Sequence, residues 1–209
     1  MGAISFLILY VDDILLIGND KEFLNTIKES LKGSFSMKDL SQAAYILDIK
    51  IYRDRSQRLI GLSQSTYIDK VLKMFKMKNS KKGLLPMSHG VVLCKSQCPQ
   101  TTGEQVEMSI VPFALEIGSV MYAMICTRPD VSHALSICNK YQSNPGMIHW
   151  TAVKNILKYI KRTKDLFLVY GGDEELVVKG YTDVSFMTDP DDFKSQSGYV
   201  FTLNGSAVS

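Results

Sequence analysis

Two adjacent carboxylates, Asp12 and Asp13, stand between two apolar runs, residues 6–11 and residues 14–17. Runs this short and this rich in β-formers read as two strands joined by an acidic tip. The apolar flanks are expected to exclude water, so the paired charges need compensation. A basic partner, or a hard divalent cation such as Mg²⁺ held by oxygen ligands, would supply it. Asp-Asp between strands is also a common turn, because Asp tolerates turn geometry and hydrogen-bonds its own backbone.

Lysines form the second group with chemical potential. Residues 50–82 hold ten Lys and Arg against Asp54 and Asp69, a local net of +8, although the whole chain of 209 residues carries only +3. A helix is expected from Ser63 or Ser65, with Tyr67, Ile68, Val71, Leu72 and Phe75 as its apolar stripe and Lys70, Lys73, Lys76 and Lys78 mostly off it. A solvated basic face above a core-facing stripe is the plainer reading. The functional reading is sequence-independent contact with nucleic-acid phosphates. Acidic residues gather later, at Asp173-Glu174-Glu175 and over residues 189–192. Cys94 and Cys98, with His89 nearby, make a poor zinc signature because a second ligand pair is missing. Neither a signal-peptide pattern nor a membrane span is expected, since Asp12 and Asp13 break the first apolar stretch.

The elements that must position these groups follow in order. Asn19 or Asp20 caps a helix to about Leu31, with Gly33 as its stop. Residues 44–53 alternate as one half-buried strand, and residues 59–62 return as a second. Residues 79–109 read as a long linker or mobile loop. Pro112 opens a helical unit over residues 112–163, with further helices from about Val131 and His149; His133 and His149 read as packing or polar-surface residues. Strands follow over residues 166–170, 176–182 and 199–203, like the front of a truncated domain. The fold class is α+β. A hydrophobic content of 45% and a charged content of 22% suit an ordinary globular chain.

The motifs together resemble one family, the polymerase region of copia-type LTR-retrotransposon polyproteins of plants. Eight pieces match in order: Tyr10-Val11-Asp12-Asp13-Ile14, residues 35–40, residues 62–67, residues 118–122, Thr127-Arg128-Pro129-Asp130, residues 145–150, residues 157–160, and Gly180-Tyr181-Thr182-Asp183 with residues 197–201. The resemblance implies a map: residues 1–55 the C-terminal part of the reverse transcriptase palm, a β-hairpin with a helix; residues 56–110 thumb and linker; residues 111–175 a helical connection; residues 176–209 a truncated ribonuclease H-like start. It also implies two-metal nucleotidyl transfer with Mg²⁺, Asp12 and Asp13 being two of three catalytic metal ligands and Tyr10 and Val11 lying near the primer end. The third palm carboxylate and the fingers would precede Met1. Asp183 matches the first carboxylate of the ribonuclease H cluster, whose remaining members would follow Ser209; Asp189, Asp191 and Asp192 read as solvated loop charges. Departures from the family pattern are Asp48 where Gly is usual, Leu85-Pro86 for Thr-Pro, and Phe113 and Glu116 for Tyr and a small residue.

The implied partners are an RNA/DNA primer-template, contacted in part by Lys70, Lys73 and Lys76, and the N-terminal half of the polymerase. No membrane partner is implied. The implied location is intracellular, cytoplasmic or nuclear, in a cytoplasmic virus-like particle for the family. As an isolated chain it is expected to be inactive. The alternatives are a non-catalytic nucleic-acid-binding remnant of a degenerate transposable element and a non-functional reading frame whose exposed sheet edge aggregates.

Overall fold

The computed structural model describes residues 2–172 and 175–208; Asp173 and Glu174 of the late acidic cluster lie outside them. The chain divides between Ala44 and Tyr45 into two compact units.

In the first unit, β1 (Ser5–Tyr10) and β2 (Asp13–Gly18) pair antiparallel, and α1 (Lys21–Ser34) follows. Asp20 caps α1 by accepting from the N–H groups of Glu22 and Phe23 at 2.9 and 3.1 Å. The helix runs past its expected end at Leu31. Gly33 keeps helical backbone, and a glycine stops a helix only where its φ turns positive. Asp39 pairs with Lys28 at 3.2 Å and accepts from the Ser41 N–H, which holds its carboxyl below the usual range.

In the second unit, β3 (Tyr45–Ile46), β4 (Ile49–Asp54), β5 (Leu59–Ser63) and β6 (Leu168–Gly171) form one antiparallel sheet in that order. The single strand expected over residues 44–53 is instead a tight hairpin. Leu47 and Asp48 take φ of 51° and 59°, and Ile46 pairs with Ile49. Two central residues at positive φ are what a type I′ turn requires. Alternation continues on both sides of the turn, so periodicity hides it. Asp48 therefore sits in the turn, not within a strand, and is exposed there. The β4–β5 turn contains residue 55, where the palm was expected to give way to the thumb. The segment expected to open the late strands joins β5 as β6, because local pattern does not name a strand's partner. Gly171 makes this possible: at φ +99°, an added Cβ would lie 2.0 Å from the Arg58 carbonyl oxygen.

Helices α2 (Ser65–Met74), α3 (Thr102–Ser109), α4 (Phe113–Cys126), α5 (Ser132–Asn139) and α6 (Met147–Arg162) accompany the sheet. Ile68 and Leu72 of α2, Ile117 and Val120 of α4, Leu135 of α5, and Val153, Ile156, Leu157 and Ile160 of α6 are each no more than 2% exposed and make one core. Their three- and four-residue spacing is the helical stripe expected. His149 is buried, stacks on Tyr141, and accepts from the Gly146 N–H through Nδ1 at 2.9 Å. Burial holds its imidazole below the ordinary value.

The span expected as a linker is anchored. Leu93 is buried, its carbonyl accepts from the Tyr141 hydroxyl at 2.7 Å, and the Gly83 N–H donates to the Lys158 carbonyl at 2.9 Å. α3 starts at a capping box between Thr101 and Glu104. Weak periodicity matches the irregular chain over residues 79–94 but misses α3, and a few buried contacts suffice to pin the span.

β7 (Val178–Ser185), β8 (Gln196–Leu203) and β9 (Ser206–Ala207) form a separate antiparallel sheet. The loop before β8 is not a solvated run. The Asp189 side chain, 11% exposed, pairs with Lys140, which lowers its carboxyl's pKa. Asp191 accepts from the Lys95 N–H at 2.7 Å and the Tyr141 hydroxyl at 3.0 Å. Only Asp192 stays at the loop surface, paired with Lys194. The anchoring partners lie 49 or more residues away in sequence, which hid them.

One core position is costly. Glu116 of α4 is fully buried and neither carboxylate oxygen has a hydrogen-bond partner. Burial pushes its carboxyl up to about 8, with Lys154 of α6 opposing weakly. A raised folded-state value makes the wild type most stable below the unfolded value of 4.5, and that stability is lost as pH rises through about 8. Glu116→Gln is therefore expected to stabilise the protein by on the order of 3 kcal/mol at neutral pH. The gain should shrink to near zero toward pH 4. Urea denaturation at both pH values checks this, and a gain that is equal at both would contradict it.

Candidate active site and nucleic-acid interface

Six-residue strands present the paired carboxylates. Tyr10 pairs with Asp13, which leaves Val11 and Asp12 as a two-residue turn. Val11 takes φ of 49°. A β-branched residue is strained there, and natural hairpins place Gly or Asn at such positions. Backbone strain of this kind concentrates at functional sites, so the turn carries a cost that hairpin formation alone does not require.

Asp12 and Asp13 are both exposed, and among the described residues neither side-chain carboxylate is hydrogen-bonded or ion-paired. The expectation that water is excluded from their flanks does not hold. Leu9 is 65% and Val11 78% exposed, and no residue of the neighbouring α1 is buried. A two-stranded ribbon has too little area to cover its own faces. The carboxylates are thus solvated rather than buried and uncompensated. Their free oxygens fit a hard cation, since Mg²⁺ is commonly held by one or two carboxylates together with water or substrate phosphate. Among the described residues no three His, Cys, Asp or Glu side chains converge as a metal site. Tyr10, 53% exposed, closes β1 beside the turn.

Asp183 belongs to the second unit. It lies in β7 opposite Gly198, is exposed, and accepts from the N–H of Val184 at 2.9 Å. The structure gives it a local backbone partner, and among the described residues it joins no group of three or more His, Cys, Asp or Glu that could hold a metal.

The three lysines do not share one helix. Lys70 and Lys73 lie on the exposed side of α2, opposite buried Ile68, Val71 and Leu72. Lys76 lies beyond the helix end, at φ 57°. Lys70 is also engaged, its ammonium 2.7 Å from Asp48. That contact links the β3–β4 turn to α2.

Thr127-Arg128-Pro129-Asp130, one of the matching motifs, forms a buried polar corner. Arg128 is 4% exposed and donates to Asp130 at 3.0 and 2.7 Å and to Thr163 Oγ1 at 2.6 Å. The Tyr159 hydroxyl donates to Asp130 at 2.7 Å, and the guanidinium lies over the Tyr159 ring. Burial pushes the Asp130 carboxyl up, but the Arg128 and Tyr159 hydrogen bonds outweigh it and leave it below the ordinary value. Thr127 donates to Gln64 Oε1 at 2.8 Å, tying this corner to the start of α2. The Arg-x-Asp spacing was the available signal, because a planar guanidinium grips a nearby carboxylate through two bonds.

Comparison with known proteins places these features in context. Residues 2–89 match the family model described as Reverse transcriptase (RNA-dependent DNA polymerase). The chain is 45% identical over 203 residues to the retrovirus-related Pol polyprotein from transposon TNT 1-94 of Nicotiana tabacum, covering 97% of this chain and 15% of that protein. It is 30% identical over 207 residues to the corresponding polyprotein from transposon RE2 of Arabidopsis thaliana, covering 99% of this chain and 14% of that protein. It is also 30% identical to an uncharacterized mitochondrial protein of Arabidopsis thaliana, of which it covers 81%. The chain thus spans about 15% or less of the Pol polyproteins it matches. No solved structure matches.

Relief of the turn strain is measurable. Val11→Gly is expected to stabilise the hairpin by about 1 kcal/mol, the cost of a left-handed conformation partly offset by glycine's greater freedom when unfolded. Amide hydrogen exchange over residues 5–18 checks this; reduced protection would contradict it.

Proposed function

As the chain belongs to the reverse transcriptase family of copia-type plant retrotransposon Pol polyproteins, we propose that it is the part of that polymerase that carries the catalytic hairpin. On this reading residues 1–55 form the C-terminal part of the palm, residues 56–110 thumb and linker, residues 111–175 the helical connection, and residues 176–209 the start of a ribonuclease H-like region. The activity of the complete polymerase is RNA-directed DNA synthesis by two-metal nucleotidyl transfer. The observation that carries this reading is the pair of free carboxylates, Asp12 and Asp13, at a strained hairpin tip.

Asp12 and Asp13 would hold Mg²⁺ through their unpaired oxygens. Magnesium held there would supply activation of a primer 3′-hydroxyl and neutralisation of charge on the transferring phosphate. Val11 and Tyr10 stand exposed beside the carboxylates, where the primer end would meet them. Lys73 and Lys76 are solvent-exposed cations available to primer-template phosphates, and Lys70 becomes available once it leaves Asp48. Asp183 is the first carboxylate of a ribonuclease H cluster whose other members lie outside this span. The partners are a primer-template and the N-terminal half of the polymerase, and the location is intracellular, cytoplasmic or nuclear, with a cytoplasmic virus-like particle as the family's setting.

A second reading, a non-catalytic nucleic-acid-binding remnant, is favoured by one observation. Glu116 leaves an unpartnered carboxylate in the core, a cost that suits a sequence no longer under demand for a stable enzyme.

The test is Mg²⁺-dependent primer extension on an RNA template, with Asp12→Asn/Asp13→Asn beside the wild type. No extension is expected from the chain alone. Extension is expected when the N-terminal half is supplied in trans, and its loss in the double variant. Extension by the chain alone would show that no further carboxylate is needed. Trans-complemented extension that survives the double variant would overturn the catalytic assignment, since a lost metal ligand removes several kcal/mol of transition-state stabilisation.

A further inference from the structure

We propose that the free edge of β7 pairs with the same edge of a second copy of this chain, antiparallel and about a two-fold axis at Tyr181, to make one closed homodimer. Among the described residues β7 pairs with β8 alone, and each residue from Val178 to Val184 is exposed. The Val177 carbonyl accepts from the Asn204 N–H at 3.0 Å, on the β8 side. Backbone groups alternate in direction along a strand, so those of Val178, Gly180, Thr182 and Val184 point away from β8. The Val184 N–H agrees, since its partner is the Asp183 carboxylate at 2.9 Å and not a neighbouring strand. Such a row of unpaired groups is a template for another strand. The opposite edge of this sheet is covered. β9 has two residues, and there the Tyr170 hydroxyl donates to the Ala207 carbonyl at 2.6 Å and the Ser206 hydroxyl to the Val169 carbonyl. With one open edge in this sheet, a two-fold contact closes at a pair.

The residues of the edge select both this occupant and this register. Lys179 and Asp183 lie two residues to either side of Tyr181, and among the described residues neither is in an ion pair. A two-fold axis at Tyr181 sets Lys179 opposite the partner's Asp183, and Asp183 opposite the partner's Lys179. It also sets Val178 opposite the partner's Val184 and Gly180 opposite the partner's Thr182. These are the residues whose backbone groups point outward, so they become the hydrogen-bonded pairs. Lys179, Tyr181 and Asp183 fall at the other pairs, where the backbones approach to roughly 4.5 Å and side chains interact most. A shift by two residues loses both charge pairs. A parallel, in-register pairing sets like charges opposite each other, which is destabilising. Charges on an edge ordinarily repel a second strand. Their spacing here makes them complementary to an antiparallel copy. On pairing, Asp183 would exchange the Val184 N–H for the partner's Lys179, and that N–H would pass to the carbonyl of the partner's Val178. The pairing needs no part of the polymerase reading.

Sedimentation velocity of the full chain across a concentration series tests this, with Lys179→Asp, Asp183→Lys and an equimolar mixture of the two variants. The wild type is expected to dimerise. Each variant alone is expected to raise the dissociation constant by on the order of tenfold, because two attractive pairs become two repulsive ones. The mixture is expected to return to the wild-type value, since the two variants present complementary edges to each other. That recovery also shows that both variants fold. Where circular dichroism shows a single variant unfolded, the charge-exchanged Lys179→Asp/Asp183→Lys replaces it and is expected to dimerise as the wild type does; its loss of dimer with the fold intact would overturn the charge register. A wild type that stays monomeric would overturn the second copy as the occupant and leave the edge to a strand from outside this chain. Folded variants that dimerise as well as the wild type, or a mixture no tighter than either variant, would overturn pairing through β7. Species larger than a dimer would overturn the two-fold closure.

Discussion

The second unit depends on one buried cation. Arg128, at the corner between α4 and α5, reaches Asp130 beside it and Thr163 past the end of α6, and lies over Tyr159. A guanidinium cannot shed its proton, so once buried it must be paired. That requirement couples the corner's conformation to the position of the end of α6. Thr127 extends the coupling to Gln64 and hence to the start of α2. The apolar stripes of α2, α4, α5 and α6 supply most of the burial, but stripes can slide. The directional bonds at this corner select one arrangement.

Glu116 is the counterpart of Arg128. Both are charged types inside the same unit, but the arginine has a carboxylate, a hydroxyl and an aromatic face, whereas the glutamate has no hydrogen-bond partner. The glutamate answers by retaining its proton, so its pKa rises. Whether a buried ionisable group stabilises or costs follows from partners, not from burial.

The hairpin unit follows a different economy. No side chain of α1 is buried, and the apolar residues of β1 stay open to water. Its order comes from local devices: the Asp20 cap, the Asn19 side chain bonded to the Ile4 N–H, and Asp39 bridging to Lys28. Within it the backbone holds Val11 in a conformation that its side chain disfavours, and two carboxylates stay free beside it. Freedom of the charges and strain of the turn coincide at one place, which is where metal-dependent chemistry would need them.

Much was legible in the residues themselves. The strand–Asp-Asp–strand pattern, the Asp20 cap, the stripes of α2, α4 and α6, and the α+β class are properties of neighbours within a few positions, where spacing and side-chain type decide. The family too was legible, because it is written in short ordered motifs. Other features came only from the tertiary structure. β6 joins β5 across more than a hundred residues, Asp189 and Asp191 find Lys140, Lys95 and Tyr141, and residues 76–83 settle on α6. The turn at Leu47 and Asp48 was hidden for a related reason, since the alternation on either side runs on through it. A local pattern states which face of an element is apolar or charged. It does not state which distant surface that face meets, because pairing energy depends on the complementary partner and on the loops that allow them to touch.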